Sequence, residues 1–197
     1  MRIIPAFTML IVLGLLEGCA GNKELIKAMS VSSNQRVFEV VEENASPIPG
    51  YADLHIHSSL QTHKPGIYSN TDIHGTQDYI LVVNIDGQSL IIQGCLNAVK
   101  SADRPMCDPE QGEGISYQFT KKLRIKSGSH KVVVALPADD LVAEKEVNIS
   151  DGGNNVLTVE PMYGTIPVKQ RPGKFGRLTS FKEGIKSIRI LLNGKYI

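Results

Sequence analysis

Two histidines stand two positions apart in the segment Asp53-Leu54-His55-Ile56-His57-Ser58. Successive side chains of a β-strand point to opposite faces, so on a strand His55 and His57 would share one face, with Leu54 and Ile56 on the other. Two imidazoles on one face can bind the same transition-metal ion, and a metal-bound water is a nucleophile at neutral pH. This segment is therefore the first candidate for chemistry.

The DLHIHS segment resembles the first metal-binding motif of the polymerase-and-histidinol-phosphatase class of metallophosphoesterases. The resemblance implies that His55 and His57 are ligands of a metal that activates water for phosphoester hydrolysis, on a distorted β/α barrel. Such a barrel alternates strands with helices, and this chain shows no such alternation. We therefore expect no metal, no cofactor and no enzymatic activity. A metal-dependent phosphoesterase using His55 and His57 is kept as an alternative. Adventitious metal binding by His55 and His57, with His63 or His74 as a further ligand, is a second alternative.

The N-terminus predicts export. Met1 and Arg2 precede an apolar run, Ile3 to Leu16, that is shorter than the roughly 20 residues of a membrane-spanning helix.

Leu16-Glu17-Gly18-Cys19 resembles the lipobox of bacterial lipoprotein precursors, with Glu17 where a small or apolar residue is usual. The resemblance implies cleavage after residue 18 and lipidation of Cys19. It implies a location in the bacterial cell envelope. Ala20, Gly21 and Asn22 follow Cys19 without an Asp, which by resemblance to the enterobacterial sorting rule favours the outer membrane, facing the periplasm or the surface. The alternative is an ordinary secretory signal followed by a coincidental cysteine.

The chain has three cysteines. If Cys19 carries lipid, Cys95 and Cys107 remain, and an oxidising periplasm would pair them. Such a disulfide would contribute about 3 kcal/mol to stability. Two buried free thiols are the alternative, and the lack of a CxxC spacing makes a metal site less favoured.

Other residue groups give weaker signals. A carbohydrate- or cell-wall-binding module is an alternative function, with Tyr68, Tyr117 and Tyr163 as its candidate stacking residues, although the chain has no Trp. The acidic loop with Asp108, Glu110 and Glu113 lacks the spacing of a calcium loop. The basic segment 169–182 could contact anionic headgroups, or it is a solvated loop. The near balance of 21 Lys and Arg against 20 Asp and Glu argues against nucleic acid as a partner.

Short alternating segments separated by turn residues predict an all-β protein, an antiparallel β-sandwich of immunoglobulin-like or transthyretin-like type. Asp86-Gly87 predicts a type I′ hairpin between Asp78–Ile85 and Gln88–Gln93. A second hairpin is predicted from Tyr117–Lys126 and His130–Leu136. The stretch from Leu123 to Val134 resembles the strand, x-x-G-x-H, strand pattern of PEGA-type and carboxypeptidase-regulatory-like modules, which are small, mostly non-catalytic sandwiches.

We expect three parts: a signal peptide over 1–18, the lipidated Cys19 and a tether over 19–50, and the β-sandwich over 51–197. The function that follows is a non-catalytic, membrane-anchored binding or assembly module. Its partners would be the membrane through the lipid and an envelope protein or polysaccharide.

Overall fold

The structure is a computed structural model, and it describes residues 36–46, 48–63, 72–99, 114–164 and 184–197. These residues form eleven β-strands and one 3-10 turn, Pro137–Asp139, and they contain no α-helix and so no helix that could span a membrane. The strands are β1 (Phe38–Val40), β2 (Tyr51–Thr62), β3 (Ile80–Ile85), β4 (Gln88–Gln93), β5 (Cys95–Val99), β6 (Gly114–Lys126), β7 (Gly128–Leu136), β8 (Leu141–Ile149), β9 (Asn154–Tyr163), β10 (Ile185–Leu192) and β11 (Lys195–Tyr196).

The strands form two sheets, which confirms the predicted all-β sandwich. Sheet A has seven strands in the order β1-β6-β2-β9-β10-β11, and β5 also pairs with β6. Sheet B has four strands in the order β4-β3-β7-β8. All pairs are antiparallel except β2 with β9, which run parallel. The parallel pair departs from the purely antiparallel sandwich that the sequence predicts.

The core lies between the sheets and follows the alternation of each strand. In β2, Leu54, Ile56 and Leu60 are buried in the main apolar cluster. From sheet B, Leu81, Val83 and Ile85 of β3 join the same cluster. Burying one Leu or Ile side chain stabilises a fold by about 1.5–3 kcal/mol. The main cluster therefore supplies the driving force that holds the two sheets together.

Strands β3 and β7 are apolar on both faces. Val82, Val133 and Ala135 form a second, smaller buried cluster apart from the main core, with Ile80 and Val142 packed against it. A strand that is apolar on both faces favours the interior of a sheet. This explains why β3 and β7 are the two central strands of sheet B.

The predicted turn at Asp86-Gly87 is confirmed, since both residues have positive φ angles, 48° and 91°. The second predicted hairpin is wrong. Strand β6 pairs with β2, β1 and β5 in sheet A, whereas β7 pairs with β3 and β8 in sheet B. Ser127 alone connects the two strands, which is shorter than the two-residue loop of a common hairpin. The chain therefore crosses from one sheet to the other at this point.

Strand β1 falls inside the range 19–50 expected to be tether. It pairs with β6, and Phe38 is buried in the main core. The side chain of Gln88 in β4 fixes it from the other sheet: Gln88 Oε1 accepts from the backbone N–H of Val37 at 2.7 Å and of Phe38 at 3.1 Å. The sandwich therefore includes residues before Tyr51.

Gly94 links β4 in sheet B to β5 in sheet A at a very close approach. A Cβ atom at this position would lie 2.9 Å from Cε1 of Phe119 and 3.1 Å from Cδ1 of Tyr117. Both rings are fully buried, so neither can move aside without disturbing the core. The crossing between the sheets thus depends on a residue without a side chain.

We expect Gly94→Ala to lower the free energy of unfolding by about 1–3 kcal/mol, because the added methyl overpacks the Phe119 and Tyr117 rings. Urea unfolding followed by circular dichroism measures this. Gly153→Ala is the matched control, since the nearest atoms to its added Cβ lie 4.0 Å away. Equal stability of the two variants would contradict the packing argument.

Candidate metal centre

His55 and His57 share one face of β2, as the alternation predicts, and it is the face turned away from the core. Their partners across the sheet are Lys122 and Thr120 on β6. His55 Nδ1 lies 3.9 Å from a carboxylate oxygen of Glu43, and His57 is exposed. No third metal-ligating side chain converges on the two histidines among the described residues. Together with the all-β fold, this leaves the phosphoesterase alternative without structural support.

Asp53, the first residue of the same motif, is buried in an ion-pair cluster. Its carboxylate lies 3.0 Å from Lys122 Nζ and 3.4 Å from Arg124 Nε. Lys122 also donates to the carbonyl of Glu43 at 2.8 Å, and Arg124 to that of Ser46 at 2.5 Å. Burial alone would raise the pKa of Asp53, but the hydrogen bond and charge of Lys122 and the charge of Arg124 outweigh it and lower the pKa. Lys122 and Arg124, which Asp53 neutralises, therefore hold the segment before β2 against sheet A.

We expect Asp53→Asn to destabilise the fold by about 3 kcal/mol at neutral pH, because two buried cations lose their counterion. The pKa of Asp53 is lowered from 3.8 by folding. The stability that ionised Asp53 contributes is therefore complete above pH 3.8, and it is lost as the pH falls through the pKa of Asp53 in the folded state. The variant should therefore lose stability less steeply than wild type below about pH 4. Urea unfolding at pH 7 and pH 3 tests both statements, with the exposed Asp78→Asn as control. A variant that follows the wild-type curve would contradict them.

A different group of side chains does converge. His63, Asp72 and His74 each offer a ligand atom, and these atoms all lie within 4.8 Å of one another. The Asp72 carboxylate joins the two rings: Oδ2 is 2.7 Å from His63 Nε2, and Oδ1 is 2.7 Å from His74 Nδ1. We call these three residues the His-Asp-His cluster. They are partly buried, with side-chain exposures of 35% for His63, 16% for Asp72 and 19% for His74.

The cluster lies where the chain passes from sheet A to sheet B. His63 directly follows Thr62, the last residue of β2. Asp72 Oδ1 accepts from the backbone N–H of His74 at 3.0 Å, a local bond typical of Asp in turns. The next residues form a turn in which the Thr76 hydroxyl donates to the carbonyl of Ile73 at 2.7 Å. A strand end and a short turn thus fix the ligands from both sides.

The cluster continues into the protein through Asp139 and Tyr79. His74 Nε2 is 3.2 Å from Asp139 Oδ1, and the Tyr79 hydroxyl donates to Asp139 Oδ2 at 2.5 Å. The rings of His63 and His74 lie 4.7 Å apart, and those of His74 and Tyr79 5.3 Å apart. Tyr79 in turn contacts Tyr117 at 4.8 Å between ring centroids. The polar cluster therefore rests on an aromatic column that reaches the core.

Hydrogen bonds, charge and burial shift the pKa values of these groups. Burial alone would raise the pKa of Asp72, but hydrogen bonds from His63 and from the ring and backbone N–H of His74 outweigh it and lower the pKa to about 2. The hydrogen bond to Asp139 raises the pKa of His74, with a further contribution from Asp72. Burial and the nearby Asp139 carboxylate raise the pKa of Tyr79, which stays a hydrogen-bond donor. Without a metal, the His-Asp-His cluster favours a carboxylate shared between two rings.

Two imidazoles and one carboxylate are a metal-ligand set. Zn²⁺ binds His nitrogen and Asp oxygen at about 2.0–2.2 Å, which in a tetrahedral site places ligand atoms about 3.3 Å apart. The ligand atoms of the His-Asp-His cluster lie within 4.8 Å of one another, which is near that spacing. Imidazole donors favour zinc, copper, iron or nickel over calcium or magnesium, which prefer oxygen ligands.

The candidate stacking tyrosines of a carbohydrate-binding module do not form an exposed platform among the described residues. Tyr117 is fully buried, and its hydroxyl donates to the carbonyl of Thr76, so it is no stacking surface. Tyr163 is partly buried, and its hydroxyl accepts from the Gln61 N–H at 2.6 Å. Tyr196 is the only described aromatic side chain that is mostly exposed, at 62%. The coplanar tyrosine platform expected of a carbohydrate module is thus not found in the described part of the chain.

Several predicted sites lie outside the described residues: Cys19, Tyr68, Cys107, the acidic loop with Asp108, Glu110 and Glu113, and the basic segment 169–182. Cys95 is described; it lies on β5 as an exposed free cysteine, and no disulfide is found among the described residues. The Cys95–Cys107 pairing remains a prediction.

From the sequence, His63 and His74 are considered only as further ligands for His55 and His57, and they are not grouped with Asp72. One signal was available: Asp72-Ile73-His74 is an Asp-x-His pattern in a turn-rich stretch. His63 gives no local signal, because its partner Asp72 lies nine residues away along the chain. The two residues meet only in the folded structure.

Comparison of the chain with protein-family models, with curated proteins and with solved structures finds no match. The case for a function therefore depends on the geometry of the His-Asp-His cluster and on the motifs of the sequence.

Proposed function

We propose that this chain is a lipid-anchored protein of the bacterial envelope whose β-sandwich is a non-catalytic binding module for a divalent transition-metal ion. The observation that carries the proposal is the convergence of His63, Asp72 and His74, whose ligand atoms lie within 4.8 Å of one another. Zn²⁺ is the ion we favour, because a set of two nitrogens and one oxygen suits it and it imposes no strict geometry.

The neighbours of the His-Asp-His cluster support a binding role over a catalytic one. A hydrolytic metal site needs a general base or acid free to reach a bound water. Tyr79 is buried, and its raised pKa keeps it protonated. Asp139 already accepts hydrogen bonds from both Tyr79 and His74. These side chains hold the cluster in place and leave no free acid or base among themselves.

The sequence supports the location. Leu16-Glu17-Gly18-Cys19 follows an apolar run of signal-peptide length, and lipid on Cys19 would hold the domain at a membrane. Two or more acyl chains suffice for stable anchoring without a spanning helix. A metal-binding domain held there would be in position to meet an envelope protein or polysaccharide, and the near-neutral charge does not favour nucleic acid.

We expect the protein without its signal peptide to bind one Zn²⁺ ion, and His63→Ala or His74→Ala to weaken binding at least tenfold, because each removes a ligand. Isothermal titration calorimetry at neutral pH, with a chelator as competitor, measures the affinity. His57→Ala is the matched control, since it removes an exposed histidine of the same strand region and should bind as wild type. If wild type binds no zinc, or if His57→Ala weakens binding as much as His63→Ala does, the proposal fails.

We expect the full-length chain to incorporate a labelled fatty acid in bacteria, and Cys19→Ser to abolish the label, because the lipid attaches to that thiol. Metabolic labelling with an alkyne fatty acid followed by click chemistry measures this. Cys95→Ser is the control and should retain the label. Label that persists on the Cys19→Ser variant would rule out the anchor.

A further inference from the structure

The two nitrogens of the His74 ring face different carboxylates. Nδ1 lies 2.7 Å from Asp72 Oδ1, inside the His-Asp-His cluster, and Nε2 lies 3.2 Å from Asp139 Oδ1, outside it. A metal takes the lone pair of one ring nitrogen, and the other nitrogen then carries the hydrogen. The position of Asp139 therefore bears on which nitrogen of His74 faces the metal.

Asp139 is itself held firmly from a different part of the fold. It ends the 3-10 turn Pro137–Asp139 between β7 and β8, and the N–H of Asp140 closes this turn by donating to the Pro137 carbonyl. Its side chain is only 9% exposed. Its second oxygen accepts from the hydroxyl of Tyr79, whose ring is buried in the main core. Asp139 thus presents a fixed acceptor to His74 Nε2 across 65 residues of sequence.

We infer that Asp139, oriented by Tyr79, is a positioning residue that keeps the hydrogen of His74 on Nε2 and so commits Nδ1 to the metal. The inference rests on the proposed metal binding by the His-Asp-His cluster. A carboxylate that accepts the second N–H of a metal-bound histidine fixes the ring and makes the coordinating nitrogen more basic. Removing such a partner lowers metal affinity tenfold to a hundredfold in other proteins.

A purely structural role for Asp139 makes a different prediction. If Asp139 only braces the turn, its substitution changes stability and leaves zinc affinity and the form of the His74 ring unaltered. If it positions His74, substitution changes affinity and ring form. The chain offers a matched control next to it: Asp140 is a carboxylate at the end of the same turn, and it is exposed.

The experiment compares Asp139→Asn, Asp140→Asn and Tyr79→Phe with wild type, each lacking the signal peptide. Zinc affinity is measured by competition with a chelator, and nitrogen-15 NMR identifies which His74 nitrogen carries hydrogen in the zinc-loaded protein. We expect Asp139→Asn to bind zinc tenfold to a hundredfold more weakly, Asp140→Asn to match wild type, and Tyr79→Phe to lie between them. Combining Tyr79→Phe with Asp139→Asn should add little, because both act through one hydrogen-bond chain.

The outcomes separate this inference from the proposed function. If wild type binds no zinc, the proposed function fails and takes the inference with it. If wild type binds zinc and Asp139→Asn binds as tightly as Asp140→Asn, only the inference is overturned. A wild-type His74 ring with zinc on Nε2 and hydrogen on Nδ1 would overturn it equally. Because Asn has the shape of Asp, Asp139→Asn is expected to fold, and circular dichroism of the zinc-free protein verifies this.

Discussion

The rest of the structure depends on the antiparallel pairing of β2 with β6. Twelve consecutive residue pairs, from Tyr51 with Lys126 to Thr62 with Ile115, fix the register of sheet A. A slip of one residue would turn Leu54 and Ile56 out of the core and His55 and His57 into it, so burial enforces this register strongly. The same strand β6 carries β1 and β5 along its other edge. Where the pairing ends, at Thr62, the chain leaves sheet A, and His63 takes its place in the His-Asp-His cluster.

The core and the candidate metal centre are physically continuous. Phe119 and Tyr117 stack with nearly parallel rings, and Tyr117 packs on Tyr79, which ends in a hydroxyl bonded to Asp139. A buried tyrosine needs a partner for its hydroxyl, and a buried carboxylate needs donors, so each satisfies the other. No buried side-chain nitrogen or oxygen of the described residues lacks a partner. The described side chains of the polar cluster therefore include no unpaired buried group. In a loosely formed site, unpaired buried groups would oppose folding.

The sequence predicts local structure in this chain far better than it predicts which strands are neighbours. Alternation predicts Gln88–Gln93 as a strand with the observed bounds, and Asp86-Gly87 as a type I′ turn, because side-chain period and positive φ are local properties. Sheet membership is not local. The pairing of β6 with β2, and not with β7, depends on which apolar faces meet in three dimensions. The same limit explains the site. His55 and His57 share a face by spacing alone, yet no third ligand joins them among the described residues. His63 and Asp72 are nine residues apart and meet only in the folded structure.

The location of the His-Asp-His cluster decides what an ion could do there. Its ligands flank the crossing from β2 in sheet A to β3 in sheet B, and Asp139 belongs to the corner between β7 and β8 of sheet B. A bound ion would thus tie the crossing to the end of sheet B. A ligand present at one hundred times its dissociation constant stabilises the native state by about 2.7 kcal/mol. Since single domains are stable by only about 5–15 kcal/mol, an ion at this crossing would set a sizeable part of the stability of the fold. The hydrogen-bonded chain from His63 to Tyr79 would then couple metal binding to the stability of the sandwich.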